Sequence, residues 1–319
     1  MHLQAILFIL AKRSAHELLI TRFSIYPTPP ADNTTTGITE ALFDNFKLFA
    51  NFTSASYCPS NENSTVGSPI TCSGTACPLV EANNVTSVIE FGGENDTTVS
   101  DIKGYCGIDP VRSLIVVAFA GSGNTIRNYL SDFAFVEIPY TDCNACWVHS
   151  GFATGWSERR SIVLAAVSTA ILAHPNYSIV VTGHSIGAAV GTLAAVELRS
   201  LNYSVDTYTY GSPRVGNEAF ADFVTSQAPA QGSNFRMTHV NDPVPQLPPT
   251  WIGYQHTSPE YWLSSGNDTT EDYGAQDVVV CEGVGDEGCN AGTGLVPIDG
   301  EAHNHYLGLI DVCQGPVSL

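Results

Sequence analysis

The chain has 319 residues, 44% of them hydrophobic and 13% charged, the composition of a globular protein with a sizeable core rather than of a disordered one. Thirty-one Asp and Glu oppose twelve Lys and Arg, a net charge of −19; a field of that sign repels nucleic acid and anionic headgroups and leaves neutral or interfacial substrates. Nine cysteines without zinc-type spacing, with N-x-S/T sequons at Asn33, Asn51, Asn63, Asn84, Asn95, Asn176, Asn202 and Asn267, point to the secretory pathway and an extracellular protein.

Residues 1–37 read as a weak signal peptide with a pro-segment, or as a disordered tail. Ala5 to Ala11 form a short apolar run, but the basic residues Lys12 and Arg13 follow it, and Pro27 to Pro30 make a stiff stretch. No segment approaches the roughly 20 apolar residues that cross a bilayer, so no integral membrane part is expected. Residues 38–319, free of linkers and repeats, are expected to form one domain. Leu42, Phe43, Phe46, Leu48, Phe49 and Phe52 recur at helical spacing in Glu40 to Tyr57. Ser113 to Ala120 is a continuous β-branched run of buried-strand type. A helix over Ser157 to Ala173, a strand over Ser178 to Thr182, a helix over Ile186 to Ser200 and a strand over Val205 to Tyr210 follow. A helix at Asn217 to Gln227 and strands at Phe235 to Val240 and Asp277 to Cys281 complete the pattern. Such alternation predicts an α/β fold, a mostly parallel sheet with helices on both faces.

Thr182 to Gly191, T-G-H-S-I-G-A-A-V-G, contains G-x-S-x-G with a strand running into Gly183 and a helix starting after Ser185. A turn that sharp crowds the positions two before and two after the serine, which the two glycines leave nearly empty. It lifts the Ser185 hydroxyl above the strand ends, beside helix N-terminal amides suited to an oxyanion. A serine nucleophile needs a base, and the base an orienting acid, in chain order Ser, Asp or Glu, His. Asp242 closes F-R-M-T-H-V-N-D and is followed by the stiff P-V-P-Q-L-P-P; Asp206 begins a strand and Asp222 lies in a helical stretch. His303 and His305 both lie where the base is expected. His2, His16, His149 and His174 precede the nucleophile, His184 is pinned in the turn, His239 sits in a strand, and His256 follows the acid too closely; these read as scaffold histidines.

From about Phe43 to Cys313 the sequence resembles the filamentous-fungal class 3 lipases, the family of the Thermomyces and Rhizomucor lipases and of type A feruloyl esterases. The resemblance rests on A-S-Y-C at Cys58, I-T-C-S-G-T-A-C-P at Cys72 and Cys77, V-H-S-G-F, the serine turn, Y-G-S-P-R-V-G-N, N-D-P-V-P-Q-L-P-P and A-H-N-H-Y. It implies an α/β-hydrolase fold and a triad of Ser185, Asp242 and His303, favouring His303 over His305. It also implies an oxyanion hole formed by Ile186 and by Ser122 in F-A-G-S-G, and disulfides Cys58–Cys313, Cys72–Cys77, Cys143–Cys146 and Cys281–Cys289, with Cys106 left as a buried thiol. Two departures stand out: Ala120 where the family commonly has Arg, and Ile186 and Ala188 where Leu and Gly are usual.

Ile126, Tyr129, Leu130 and Phe133 fall at i, i+3, i+4 and i+7, one apolar face of a short helix, which the resemblance implies is a lid opening at an oil surface. The resemblance thus implies a secreted lipase, a serine esterase hydrolysing glycerides at an oil–water interface, with no metal or cofactor, as a monomer. A feruloyl esterase or phospholipase of the same family, and an inactive binding protein, are the alternatives.

Overall fold

The computed structural model describes residues 34–93, 96–121, 135–284, 288–293, 300–311 and 313. In chain order these form β1 (Thr34–Thr36), α1 (Glu40–Ser56), α2 (Pro78–Ala82), β2 (Thr86–Phe91), β3 (Gly104–Asp109), β4 (Leu114–Phe119), β5 (Glu137–Pro139) and β6 (Trp147–His149). There follow α3 (Ser150–Ala173), β7 (Ser178–His184), α4 (Ile186–Ser200), β8 (Val205–Tyr210), β9 (Gly216–Asn217), α5 (Glu218–Ser226) and β10 (Asn234–His239). The last are β11 (Tyr254–Gln255), β12 (Glu260–Leu263), β13 (Val278–Cys281) and α6 (Glu301–Asn304).

Nine strands make the main sheet in the order β1-β13-β12-β10-β8-β7-β4-β3-β2. The central five, β4, β7, β8, β10 and β12, are parallel, so their C-terminal ends share one edge. The flanks, β2–β3–β4 on one side and β12–β13–β1 on the other, are antiparallel, which makes the sheet mixed at its margins. The expected α/β class therefore holds. β2, β3, β12 and a small antiparallel sheet, β11-β9-β6-β5, carry no periodic signal long enough to read from sequence. Thr34–Thr36 already pair with Cys281 to Val279, so the sheet begins before the domain start expected at 38.

Strand alternation separates two cores. Val116 and Ala118 of β4 and Val180 of β7 face α1, whose Phe46, Phe49 and Phe52 pack among Tyr208 and Tyr210. Ile115, Val117 and Phe119, with Ile179 and Val181, face α3 and α4 through Phe152, Val163 and Leu193. Phe46 and Phe52 are fully enclosed, each burial favouring folding by about 2–3 kcal/mol. Thr39 caps α1 by accepting the Leu42 N–H at 3.2 Å. α3 starts seven residues earlier than its apolar stripe suggests, because the His149 imidazole accepts the Gly151 N–H and caps the first turn. No described helix is long and apolar enough to cross a membrane.

Four disulfides form: Cys58–Cys313, Cys72–Cys77, Cys143–Cys146 and Cys281–Cys289. Cys106, in β3, is free and buried, and burial pushes its thiol up to about 12, which makes it unreactive at neutral pH. The first bridge spans 255 residues and ties the end of α1 to the end of the chain. Replacing Cys58 and Cys313 together by Ala should lower the unfolding free energy by about 2–5 kcal/mol, read from urea titrations; the equivalent loss at Cys143 and Cys146, only 3 positions apart, should be smaller.

Candidate active site

β7 delivers Ser185 to the shared strand-end edge, and α4 starts at the next residue. The connection forces Ser185 to φ 58°, ψ −131°, a conformation that L-residues adopt only under constraint. The two flanking glycines are dictated by close approach. A Cβ on Gly183 would lie 2.5 Å from the Gly187 carbonyl oxygen, and one on Gly187 would lie 2.4 Å from the Ala120 oxygen. Ser185 N–H donates to the Tyr210 oxygen at 3.0 Å, which ties the turn to the end of β8. Ile186 is the first residue of α4, so its N–H is one that no helical carbonyl can take up. Of the departing residues, Ala120 and Ala188 are both fully buried, where a methyl fits.

Asp242 follows β10, fully enclosed. Its carboxylate accepts from His303 Nδ1 at 3.0 Å to both oxygens, from the Val244 N–H at 2.9 Å, and from the Tyr306 hydroxyl. Burial pushes its pKa up, but the charge and hydrogen bond of His303 and the donors Tyr306 and Val244 outweigh burial and hold the carboxyl below its ordinary value. His303, on α6, is 1% exposed; with Nδ1 spent on Asp242, its Nε2 is buried and has no hydrogen-bond partner among the described residues, Ser185 included. Its ring lies 4.4 Å from that of His184, the residue before the serine. A Cβ on Gly211, just after the Tyr210 carbonyl that holds Ser185, would stand 2.9 Å from the His303 ring. Serine turn, imidazole and carboxylate therefore lie at one edge of the sheet, with His303 Nε2 left unspent.

The other candidates go elsewhere. His305 Nδ1 bonds Glu271 at 2.5 Å rather than Asp242. Asp206 accepts the Ser233 N–H, and His256 Nε2 donates to the Pro245 oxygen. His239 is held by the Val240 and Thr270 carbonyls. Ser122 and the lid residues Ile126, Tyr129 and Leu130 lie outside the described residues. Two side chains escaped the sequence reading: Tyr306, whose hydroxyl donates to Asp242, and Tyr57, whose hydroxyl meets Gly121 and His184. Both stand inside motifs already quoted, A-H-N-H-Y and A-S-Y-C, but their partners lie 64 to 127 residues away.

A family model described as Lipase (class 3) matches residues 116–251, and one described as Lipase 3 N-terminal region matches residues 17–87. A secreted mono- and diacylglycerol lipase A of Penicillium cyclopium is 40% identical over 281 residues, 88% of this chain and 89% of that protein. The chain belongs to the class 3 lipase family. A secreted mono- and diacylglycerol lipase 1 of Fusarium solani is 41% identical, covering 88% of this lipase and 80% of its own length. A solved mutant form of MDLA from Penicillium cyclopium superimposes with a TM-score of 0.80 at 40% identity, covering 86% and 99% of the two chains. A solved triacylglycerol lipase, described as having a serine protease triad as its catalytic centre, superimposes with a TM-score of 0.74 at 26% identity over 88% and 99%. The lipase is a carboxylic ester hydrolase, and its secreted relatives and four disulfides make it an extracellular one.

The strain at Ser185 should appear as stability. Ser185→Gly should be more stable than Ser185→Ala by about 1 kcal/mol, since glycine tolerates positive φ; equal or reversed midpoints in urea would contradict a strained turn. Asp242 sets a pH dependence. A carboxyl held below its unfolded value of 3.8 contributes stability that is present above that value and lost as pH falls through the lower folded one. The margin of the wild type over Asp242→Asn should therefore be constant down to about pH 4 and shrink below it; urea titrations across that range read it.

Proposed function

We propose that this lipase hydrolyses mono- and diacylglycerols by an acyl-enzyme formed on Ser185. The observation that carries the roles is the His303–Asp242 pair beside the strained Ser185 turn, with the other imidazole nitrogen left unpaired. Ser185 Oγ attacks the ester carbonyl while His303 Nε2 takes its proton; the tetrahedral intermediate collapses, and the same proton leaves with the glyceride alcohol. Water then attacks the acyl-enzyme, giving a proton to His303, which passes it to Ser185 Oγ as the fatty acid leaves. Asp242 fixes the imidazole with Nδ1–H inward and stabilises its cation. Ile186 N–H is the first oxyanion donor, and Ser122, by family resemblance, the second.

The glyceride class is supported by two relatives of 40% and 41% identity that both bear mono- and diacylglycerol names. The protein works as a monomer at an oil–water interface, with the 126–133 segment as the lid of its site.

The test is a substrate panel: mono- and diolein, a triolein emulsion, tributyrin, a phospholipid and methyl ferulate, each against wild type and Ser185→Ala. Mono- and diolein should turn over fastest, and Ser185→Ala should lose about 10³-fold or more with folding intact. Cleavage of methyl ferulate with glycerides spared would sink the lipid assignment. Undiminished turnover by Ser185→Ala would sink the nucleophile.

A further inference from the structure

Tyr57 stands at the C-terminal end of α1, 3% exposed, next to the cysteine bridged to Cys313. Its hydroxyl lies 2.7 Å from the Gly121 nitrogen and 2.6 Å from His184 Nδ1; His184 Nε2 lies 2.7 Å from the main-chain oxygen of His303. The direction of each bond is forced. The His303 carbonyl only accepts, so His184 Nε2 carries a proton. Burial first, and the neighbouring His303 second, pull the His184 pKa down to about 3, so the ring is neutral and its Nδ1 is bare. The Tyr57 O–H therefore donates to His184 Nδ1, and the Tyr57 oxygen accepts the Gly121 N–H. Burial, aided by nearby Asp311, raises the phenol pKa and keeps it protonated at any working pH.

The three groups so linked belong to three separate parts of the proposed machinery. Gly121 precedes Ser122 in the chain, and a Cβ on it would lie 2.8 Å from Ser185 Cβ and 3.1 Å from the His184 oxygen, so its amide sits directly against the serine turn. His184 precedes the nucleophile. The His303 carbonyl belongs to the residue that supplies the base. A purely packing aromatic would need none of these polar contacts, and burying a hydroxyl, an imidazole and an amide together is costly unless all are satisfied.

We propose that Tyr57 is a positioning residue for ester hydrolysis, its hydroxyl holding the oxyanion loop at Gly121, the serine turn at His184 and the base at His303 in one register. The proposal rests on the triad reading above. Tyr57 touches no reacting atom; it acts through the groups that do. Loss of its hydroxyl leaves the ring volume in place but frees Gly121 and His184 to shift, and misplacement on the order of 1 Å costs about 100-fold in rate.

Tyr57→Phe should lower kcat on a soluble monomeric ester such as p-nitrophenyl butyrate by about 10- to 100-fold with KM within about twofold. Labelling of Ser185 by a fluorophosphonate should slow by a similar factor. A kcat within twofold of wild type, in a variant shown to be folded by its thermal melt, overturns the proposal. A second reading is independent of whether that variant folds. In ¹⁵N-histidine spectra of the wild type, the His184 signals, assigned by their loss in His184→Gln, should show Nε2 protonated and Nδ1 bare at neutral pH. The opposite tautomer also overturns it. Ser185→Ala run alongside separates the two claims: a dead Ser185→Ala with a fully active Tyr57→Phe removes only the role of Tyr57, whereas an active Ser185→Ala removes the triad reading itself.

Discussion

A carboxylate with no exposure to water has to be surrounded by donors, and the requirement at Asp242 organises the strand-end edge of the sheet around it. Its four acceptor contacts come from His303, Tyr306 and the Val244 amide. Two of those donors lie near the C-terminal end of the chain, so satisfying the acid pins residues 303–306 against the end of β10. The peptide oxygen of Asp242 is taken by Asn290 Nδ2 at 3.1 Å, which brings a further segment to the same point. The Cys58–Cys313 bridge acts in the same direction, tying the last described residue back to α1. The imidazole has little freedom left: Nδ1 is held by the acid and its main chain by His184, and Nε2 faces what remains.

The serine turn supplies the complementary constraint. A parallel strand that feeds directly into a helix leaves room for one residue between them, and that residue must take an unfavourable backbone conformation. Gly183 and Gly187 are therefore consequences of the turn, since a side chain on either would collide with main chain that cannot move away. Ala120 enters the same packing through its carbonyl, so the end of β4 is fixed against the start of α4. The strain is sustained because β7 is bonded on both sides, to β4 and to β8, along its whole length.

The sequence was legible where a function is carried by neighbours in the chain. The G-H-S-I-G turn, the long apolar strands β4, β7 and β8, and α4 follow from local pattern. The choice of Asp242 over Asp206 and Asp222 followed from the stiff proline segment after it. Choosing between His303 and His305 was beyond residue reasoning, because both sit two residues apart in one short segment; what separates them in space is Glu271, which draws His305 away. Tyr57 and Tyr306 were invisible for the same reason. A buried tyrosine looks like core until its hydroxyl partner is known, and those partners are distant in sequence. β3, G-Y-C-G-I-D, was missed because two glycines and an acid break the strand pattern; its register comes from β2 and β4 on either side. The short β12, E-Y-W-L, is likewise set by β10 and β13.

The distribution of charge bears on how such an enzyme meets its substrate. Of the twelve basic residues, four arginines, Arg159, Arg199, Arg214 and Arg236, are buried, where they serve the fold: Arg236 pairs with Glu260, Arg159 with Asp96, and Arg199 and Arg214 reach main-chain oxygens. Four carboxylates, Asp109, Asp242, Glu260 and Asp311, are buried as well, so among the described residues burial removes charges of both signs equally and leaves the acid excess at the surface. Adsorption on an anionic membrane is opposed by that field, and screening over about 10 Å at moderate salt weakens but does not reverse it. Glyceride surfaces carry no charge and impose no such barrier.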